Sequence, residues 1–156
     1  MYDKNAMNAE LETAQRFFNA STKALDESDA SFAPAEGAMT VVRHVAHVAH
    51  TIEWYLDGAF SATGMDTNWP EHAKTEEAVT SLAEARQWVE QAFARAFEAV
   101  ENTAPEQWLE PVQGEIMAGA PRGAIISGIV DHTAHHRGAL ALCTRLRGKT
   151  PPMPYM

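Results

Sequence analysis

The sequence lacks the features that define several classes of protein. Its 156 residues include one cysteine, Cys143, which excludes an internal disulfide and a cysteine-rich zinc motif. Basic residues are scarce: 12 Lys and Arg stand against 21 Asp and Glu, for a formal net charge of -9. Because this charge repels phosphates and anionic lipid headgroups, we expect neither nucleic acid nor a membrane surface as a partner.

Long apolar runs and strand-like alternation are also missing. No stretch reaches the length that spans a bilayer, and the N-terminal residues do not join a basic segment to an apolar one, so we expect a cytoplasmic protein. No stretch of useful length alternates between apolar and polar residues, which argues against a sheet. The hydrophobic and charged contents, 46% and 21%, are ordinary for a globular protein, and we expect a single domain over residues 1–156.

What the sequence does contain is helical periodicity. Apolar residues recur at spacings of three and four in four segments, which are separated by Pro, Gly, Asn and Asp: residues 5–27, 40–60, 76–101 and 121–147. Thr40 can cap the second helix, and Pro121 suits the first turn of the fourth. The pattern predicts an all-α, antiparallel four-helix bundle with long connecting loops.

Two histidines of the fourth helix point to a metal site. His132 and His136 follow the apolar stripe of Ile129 and Leu140, so both face the bundle interior, and residues one turn apart can reach one cation. Burying two imidazoles without partners would cost about 1–3 kcal/mol each. A shared divalent ion would satisfy one nitrogen of each ring, provided that a third ligand exists.

The second helix offers three candidates for that third ligand: His44, His47 and His50. Successive steps of three residues turn by about 300° each, so the three side chains cannot all face one ion. Relative to the stripe through Val45 and Ile52, His44 is nearest the interior, His47 lies to one side and His50 is nearly opposite. Spacing therefore leaves His44 and His47 as alternatives, with His44 slightly ahead.

The other histidines and the cysteine are not expected to bind the ion. His135 points away from His136, and we expect it to pair with Asp131 on the helix flank, a simpler interpretation than a role for Asp131 in orienting a ligand. Cys143 lies about 10 Å along the helix from His136, too far to share an ion, and is expected in the core. His72 is expected in a surface loop.

Three segments resemble one known family. "TVVRHVAHVAHTIEWY" in the second helix, "HTAHHRG" in the fourth and "RLRGKTPPMPY" after it are similar, in that order, to motifs of the DinB-like family of four-helix-bundle metalloenzymes. The resemblance extends over residues 40–155. It implies that the second-helix ligand is His47, and hence that His47, His132 and His136 hold a divalent metal ion with its remaining positions open.

The same resemblance implies a function. Relatives in this superfamily use low-molecular-weight thiols, so we expect a thiol-dependent S-transferase or isomerase that acts on a small molecule. Zinc is the expected ion, with nickel or iron as alternatives. A chain without a cysteine near the ion is compatible with a thiol cosubstrate, and equally with the alternative of a metal-dependent hydrolase.

A third hypothesis is a stress-associated metal-binding or dimerising module without catalysis. It gains weight because no general base stands out: Glu53 and Asp57 are acidic helix residues of the kind that usually face solvent. The resemblance also implies a homodimer, for which Trp54, Trp88 and Phe97 could supply a surface, although these aromatic residues are more simply core.

Overall fold

Residues 2–155 form four long α-helices and one short α-helix. The computed structural model describes residues 2–155, and the helices are α1 (Lys4–Thr22), α2 (Val41–Phe60), α3 (Trp69–Glu77), α4 (Leu82–Asn102) and α5 (Ala124–Leu146). Single turns of 3-10 helix add Glu27–Asp29 and Gln107–Leu109, and no strand occurs in residues 2–155. The prediction of an all-α bundle with long connections is confirmed.

The four long helices enclose the core. Helix α2 packs against α4 and α5, and α1 packs against the same two helices, which closes the bundle. The largest fully buried side chains include Phe18 of α1, Ile52 of α2, Phe93 of α4 and Ile125 of α5. Each helix therefore buries the apolar stripe that its periodicity predicts.

The directions of the helices explain one long connection. Glu53 and Asp57 of α2 contact Trp88 and Arg95 of α4 respectively, so both helices run the same way. Helix α2 has 20 residues and spans about 30 Å. The segment between α2 and α4 must cover this distance in the opposite direction before α4 begins. Helix α3 lies in this returning segment. By contrast, α5 runs antiparallel to α2, so the predicted antiparallel arrangement holds for this pair but not for α2 and α4.

Several helix boundaries differ from the sequence prediction. The second helix begins as predicted, since the Thr40 hydroxyl accepts from the backbone N–H of Arg43. The first helix ends at Thr22 rather than near residue 27. The third long helix begins at Leu82 rather than at residue 76, because the Ser81 side chain caps it and the preceding residues break the chain into the separate helix α3.

The start of the fourth long helix is also later than predicted. Pro121 pairs with Pro111 in an isolated β-bridge before α5, which begins at Ala124 after Gly123 and has no side-chain cap. The backbone N–H of Gly123 instead donates to the carbonyl of Trp108, a buried residue of the preceding connection. No helix of residues 2–155 is long and apolar enough to cross a membrane.

The segment after α5 is tied to the rest of the bundle by a buried carboxylate. Asp29 is fully buried and accepts from the guanidinium of Arg147 at 2.9 Å and from the ammonium of Lys149. Farther along, the Tyr155 ring packs edge-on against Phe17 of α1 at 4.8 Å between centroids. The "RLRGKTPPMPY" segment therefore has a structural role on one side of the bundle.

Candidate metal centre

Three histidines from two helices converge inside the bundle. His47 on α2 and His132 and His136 on α5 each present a ring nitrogen, and these nitrogens all lie within 4.8 Å of one another. One pair, Nε2 of His47 and Nε2 of His132, is 3.2 Å apart. The antiparallel course of α2 and α5 places these three side chains at one level of the bundle.

The donor set fits a divalent metal ion. Imidazole nitrogens bind zinc at about 2.0–2.1 Å, which places two of them about 3.3 Å apart around a tetrahedral ion. The 3.2 Å between the Nε2 atoms of His47 and His132 is close to this spacing. The three histidines could therefore hold a metal ion.

Burial keeps two of these rings neutral. His136 is buried at 5% exposure, and burial together with its histidine neighbours lowers its pKa from 6.5 to about 2. His132 is partly buried, and the same two causes lower its pKa to about 4. Because a neutral imidazole carries the lone pair that binds a cation, both rings are ready ligands near neutral pH.

A buried carboxylate, which the sequence prediction missed, lies beside this cluster. Glu76 in the last turn of α3 is 3% exposed, and its Oε1 lies 2.6 Å from Nδ1 of His47 and 3.1 Å from Nδ1 of His50. Burial favours its neutral form, but the hydrogen bonds from the two histidines outweigh burial and lower its pKa to about 2. Glu76 is therefore an ionised group inside the fold.

From the sequence, Glu76 could have been noticed only if α3 had been recognised as a helix separate from α4. The sequence prediction placed Glu76 at the start of the third long helix. The "NWPEH" segment contains a helix-start signal, because Pro70 follows Asn68 closely, and the structure has Pro70 in the first turn of α3. A helix there predicts a short crossing segment, but not the face that Glu76 occupies.

The remaining histidines surround the cluster. Nδ1 of His44 lies 2.8 Å from Nδ1 of His136, so His44 contacts the cluster without being one of its three convergent members. His50 contacts Glu76, and its ring centroid lies 4.9 Å from that of His72. His72 is in helix α3 rather than a loop, is partly buried, and its Nε2 lies 2.8 Å from Asp66.

On the flank of α5, His135 is exposed as predicted, and its ring meets that of His136 edge-on at 4.9 Å between centroids. The predicted pair with Asp131 is wrong: within residues 2–155 no hydrogen bond or ion pair joins the two side chains. Asp131 instead lies near Tyr55, where its charge adds to the effect of burial in raising the pKa of the phenol.

The family model of the DinB family matches residues 1–156. This chain belongs to the DinB family. Its fold is similar to the crystal structure of a DinB-like protein from Bacillus cereus ATCC 10987, with a TM-score of 0.64 and 22% identity over 92% of this chain and 89% of that one. No curated protein matches the chain. At 22% identity the structural likeness supports the fold alone.

In this DinB family member, a cavity of about 330 Å³ opens beside the histidine cluster. His47 and His132 lie in its wall, and Trp54, Tyr55 and Trp69 make much of its apolar lining. Helix α3 closes one side through Trp69, His72, Ala73 and Glu76. The cluster therefore faces a space large enough for a small molecule.

Other groups considered from the sequence have structural roles. Cys143 is buried in the core as predicted, at 1% exposure, and burial raises the pKa of its thiol. Glu53 is partly buried rather than fully solvated, and its carboxylate accepts from Nε1 of Trp88 at 3.0 Å. Trp54, Trp88 and Phe97 are partly buried and pack against the core.

Proposed function

We propose that this chain is a metal-dependent enzyme in which His47, His132 and His136 hold a divalent ion, zinc in the first instance, at the wall of a substrate cavity. The supporting observation is the convergence of three ring nitrogens within 4.8 Å beside that cavity. Three protein ligands with an open position are typical of catalytic zinc sites, whereas structural sites are usually closed by four. Nickel and iron also accept imidazole ligands.

Within this proposal we favour a thiol-dependent S-transferase or isomerase over a hydrolase. Many metal-dependent hydrolases pair the ion with a carboxylate general base, and Glu76, the one carboxylate lining the cavity among residues 2–155, already accepts from His47 and His50. A thiol that coordinates a divalent ion is deprotonated directly and needs no such base. The chain has no other cysteine than buried Cys143, so the reacting sulfur must come from a cosubstrate.

The cavity wall supports a role in holding an apolar electrophile. Trp54 is fixed by a hydrogen bond from its Nε1 to the carbonyl of Asp66 at 2.7 Å, and its ring lies 5.9 Å from that of Trp69. These rings can hold an apolar substrate against the side of the cavity that His47 and His132 line. The substrate in this proposal is a small molecule, and the cosubstrate is a low-molecular-weight thiol.

Metal content tests the premise. Protein purified without an affinity tag should carry close to one divalent ion per chain by elemental analysis, and His132→Ala should lose it. A matched control is His135→Ala, which removes an exposed histidine of the same helix and should leave the content unchanged. Equal metal content in His132→Ala and the parent protein would refute the assigned site.

Activity then separates the reaction classes. The metal-loaded protein is incubated with a panel of cellular thiols and a reactive aromatic electrophile, and conjugation is followed by loss of the free thiol. Conjugation that requires His132 supports the transferase. Ester or amide hydrolysis without a thiol would instead favour the hydrolase. No detectable activity in either assay would favour a non-catalytic metal-binding module.

The proposal also covers the oligomeric state and the cellular location of the protein. We propose a homodimer in the cytoplasm, without nucleic acid or membrane partners. Exposed Leu142 and Leu146, one turn apart on α5 and 54% and 55% exposed, offer an apolar surface for a second copy. Light scattering coupled to size exclusion measures the mass, and a monomer at micromolar concentration would contradict the dimer.

A further inference from the structure

The two ring nitrogens of His47 have different partners on opposite sides. Nε2 lies 3.2 Å from Nε2 of His132, inside the candidate metal centre. Nδ1 lies 2.6 Å from Oε1 of Glu76 on helix α3. One imidazole thus connects the metal centre to a buried carboxylate behind it.

The chemistry of the two partners assigns the proton of this ring. A neutral imidazole has one N–H and one lone pair, and an ionised carboxylate can only accept. The hydrogen of His47 therefore lies on Nδ1, towards Glu76, and the lone pair lies on Nε2, towards the centre. This is the tautomer that a cation bound at Nε2 requires, and carboxylates are frequent partners for the outer nitrogen of metal-binding histidines.

The other two histidines of the centre lack such a partner. Nδ1 of His136 meets Nδ1 of His44, a second imidazole that can either donate or accept. Nδ1 of His132 is buried without a hydrogen-bond partner. Within residues 2–155, Glu76 is therefore the charged acceptor that acts on this set of ligands, and it acts through His47.

The path of the chain brings Glu76 to this position. Helix α3 returns along α2, with Trp69 near Trp54 at one end and Glu77 bonded to Arg43 at the other. The guanidinium of Arg43 also lies 3.6 Å from Glu76, so it helps to hold the last turn of α3 against α2. Glu76 and Glu77 share this arginine, but within residues 2–155 Glu77 has no hydrogen bond or ion pair with a histidine.

We infer that Glu76 is a positioning residue of the metal centre, which fixes the tautomer and the ring orientation of His47 through its Nδ1. The inference rests on the proposed function, because it assigns a partner to one of the proposed ligands. Its consequence is that helix α3, which closes one side of the cavity, also sets the affinity for the ion. The position of α3 and the occupancy of the centre are thereby coupled.

The test compares two adjacent glutamates. Glu76→Gln replaces the carboxylate with an amide that can turn either its oxygen or its NH₂ to His47, so the tautomer is no longer fixed. Glu77→Gln makes the same chemical change one residue away, where it alters the hydrogen bond from Arg43 and leaves the bond between Glu76 and His47 in place. Glu76→Asp keeps the charge on a shorter side chain and serves as the conservative variant.

Two readouts are needed. Long-range ¹H–¹⁵N correlation spectra of the metal-free protein in mildly alkaline buffer report which nitrogen of His47 carries the proton. Competition with a chromophoric chelator gives the affinity for Zn²⁺. We expect Glu76→Gln to lose the Nδ1–H preference and to bind Zn²⁺ about 10–100-fold more weakly, whereas Glu77→Gln resembles the parent protein and Glu76→Asp recovers part of both.

The outcomes separate this inference from the proposed function. If Glu76→Gln keeps both the tautomer and the affinity, or if Glu77→Gln weakens binding equally, Glu76 has no positioning role. If Glu76→Gln fails to fold, the His47 tautomer and the Zn²⁺ affinity of Glu76→Asp are compared with those of Glu77→Gln. A loss in Glu76→Asp alone supports the positioning role, and equal values in the two variants contradict it. If the parent protein does not bind Zn²⁺ but its His47 tautomer depends on Glu76, the proposed function fails while the effect on the imidazole stands.

Discussion

Nδ1 of His44 lies 2.8 Å from Nδ1 of His136, on the outer side of the histidine cluster. One nitrogen must donate and the other accept, so a neutral His136 that donates here presents its lone pair at Nε2. His44 therefore contacts a proposed ligand, although periodicity alone made it the slightly better candidate for the ion itself. The structure brings His47, and not His44, into the group of three convergent nitrogens.

This arrangement predicts different losses for two neighbouring histidines. His47→Ala removes a proposed ligand and should abolish stoichiometric binding of Zn²⁺. His44→Ala removes only a partner of His136 and should weaken binding by about 10–100-fold while one ion per chain can still be reached at saturation. Calorimetric titration of the metal-free proteins measures both quantities, and the reverse pattern would make His44 the ligand.

The lowered pKa values predict acid sensitivity in the metal-free protein. The pKa of His132 falls from 6.5 to about 4 and that of His136 to about 2, and burial is the main cause in both. Below pH 6.5 the unfolded chain takes up protons that the folded chain does not, so the free energy of unfolding should decrease as the pH falls towards 4.

Urea unfolding of metal-free protein at several pH values between about 7.5 and 5 measures this decrease, in a range where most carboxylates remain ionised. His136→Gln, which cannot be protonated at this position, should show a shallower dependence. A urea midpoint that stays constant over this range would show that the two imidazoles are not shielded from protons.

A further prediction concerns the buried carboxylate of Asp29. Burial by itself would raise its pKa, but the bonds from Lys149 and Arg147 outweigh burial and lower it. Asp29→Ala should destabilise the protein by about 1.5–3 kcal/mol, because charge-assisted hydrogen bonds inside the fold are lost. Part of the stabilisation by Asp29 should also be lost in acid. The loss begins as the pH falls below 3.8, the pKa of this carboxyl in the unfolded chain, and continues as the pH falls through its lower pKa in the folded protein.

Equilibrium unfolding in urea compares Asp29→Ala with Asp26→Ala. Asp26 is exposed and binds the same Lys149 side chain, so its removal should cost less. Equal losses in the two variants would mean that burial of Asp29 adds nothing to this ion pair.

Two glycines of α5 give a matched pair of substitutions. A Cβ at Gly138 would meet no atom within 4 Å, so Gly138→Ala should stabilise the protein by about 0.5–1 kcal/mol through the better helix propensity of alanine. A Cβ at Gly128 would lie 2.9 Å from Cζ of Tyr55, a ring in the cavity wall. Gly128→Ala should therefore gain less or lose stability.

Thermal unfolding ranks these two alanine variants, and near-ultraviolet circular dichroism reports the displacement of the tyrosine ring. If Gly128→Ala is as stable as Gly138→Ala and leaves that signal unchanged, Tyr55 can move without cost and does not shape the cavity.

Much of the fold could be predicted because it follows from local patterns. The stripes of apolar residues at spacings of three and four become the buried faces of α1, α2, α4 and α5, and Thr40 caps α2 as expected. The inward position of His136 also follows from its helix alone. The choice between His44 and His47 did not follow from spacing, since both lie close to the edge of the α2 stripe and the position of α5 decides which ring meets His132.

The sequence by itself determined which residues form the long helices and that His132 and His136 share one helical face, because these properties depend on neighbours within a few turns. The tertiary structure decided that α2 and α4 run in the same direction, and therefore that α3 must cross back over α2. That crossing joins Glu76 to His47, which are 29 residues apart in the chain. No helical period relates two such residues, so only the packing of the helices could place a buried carboxylate behind the candidate metal centre.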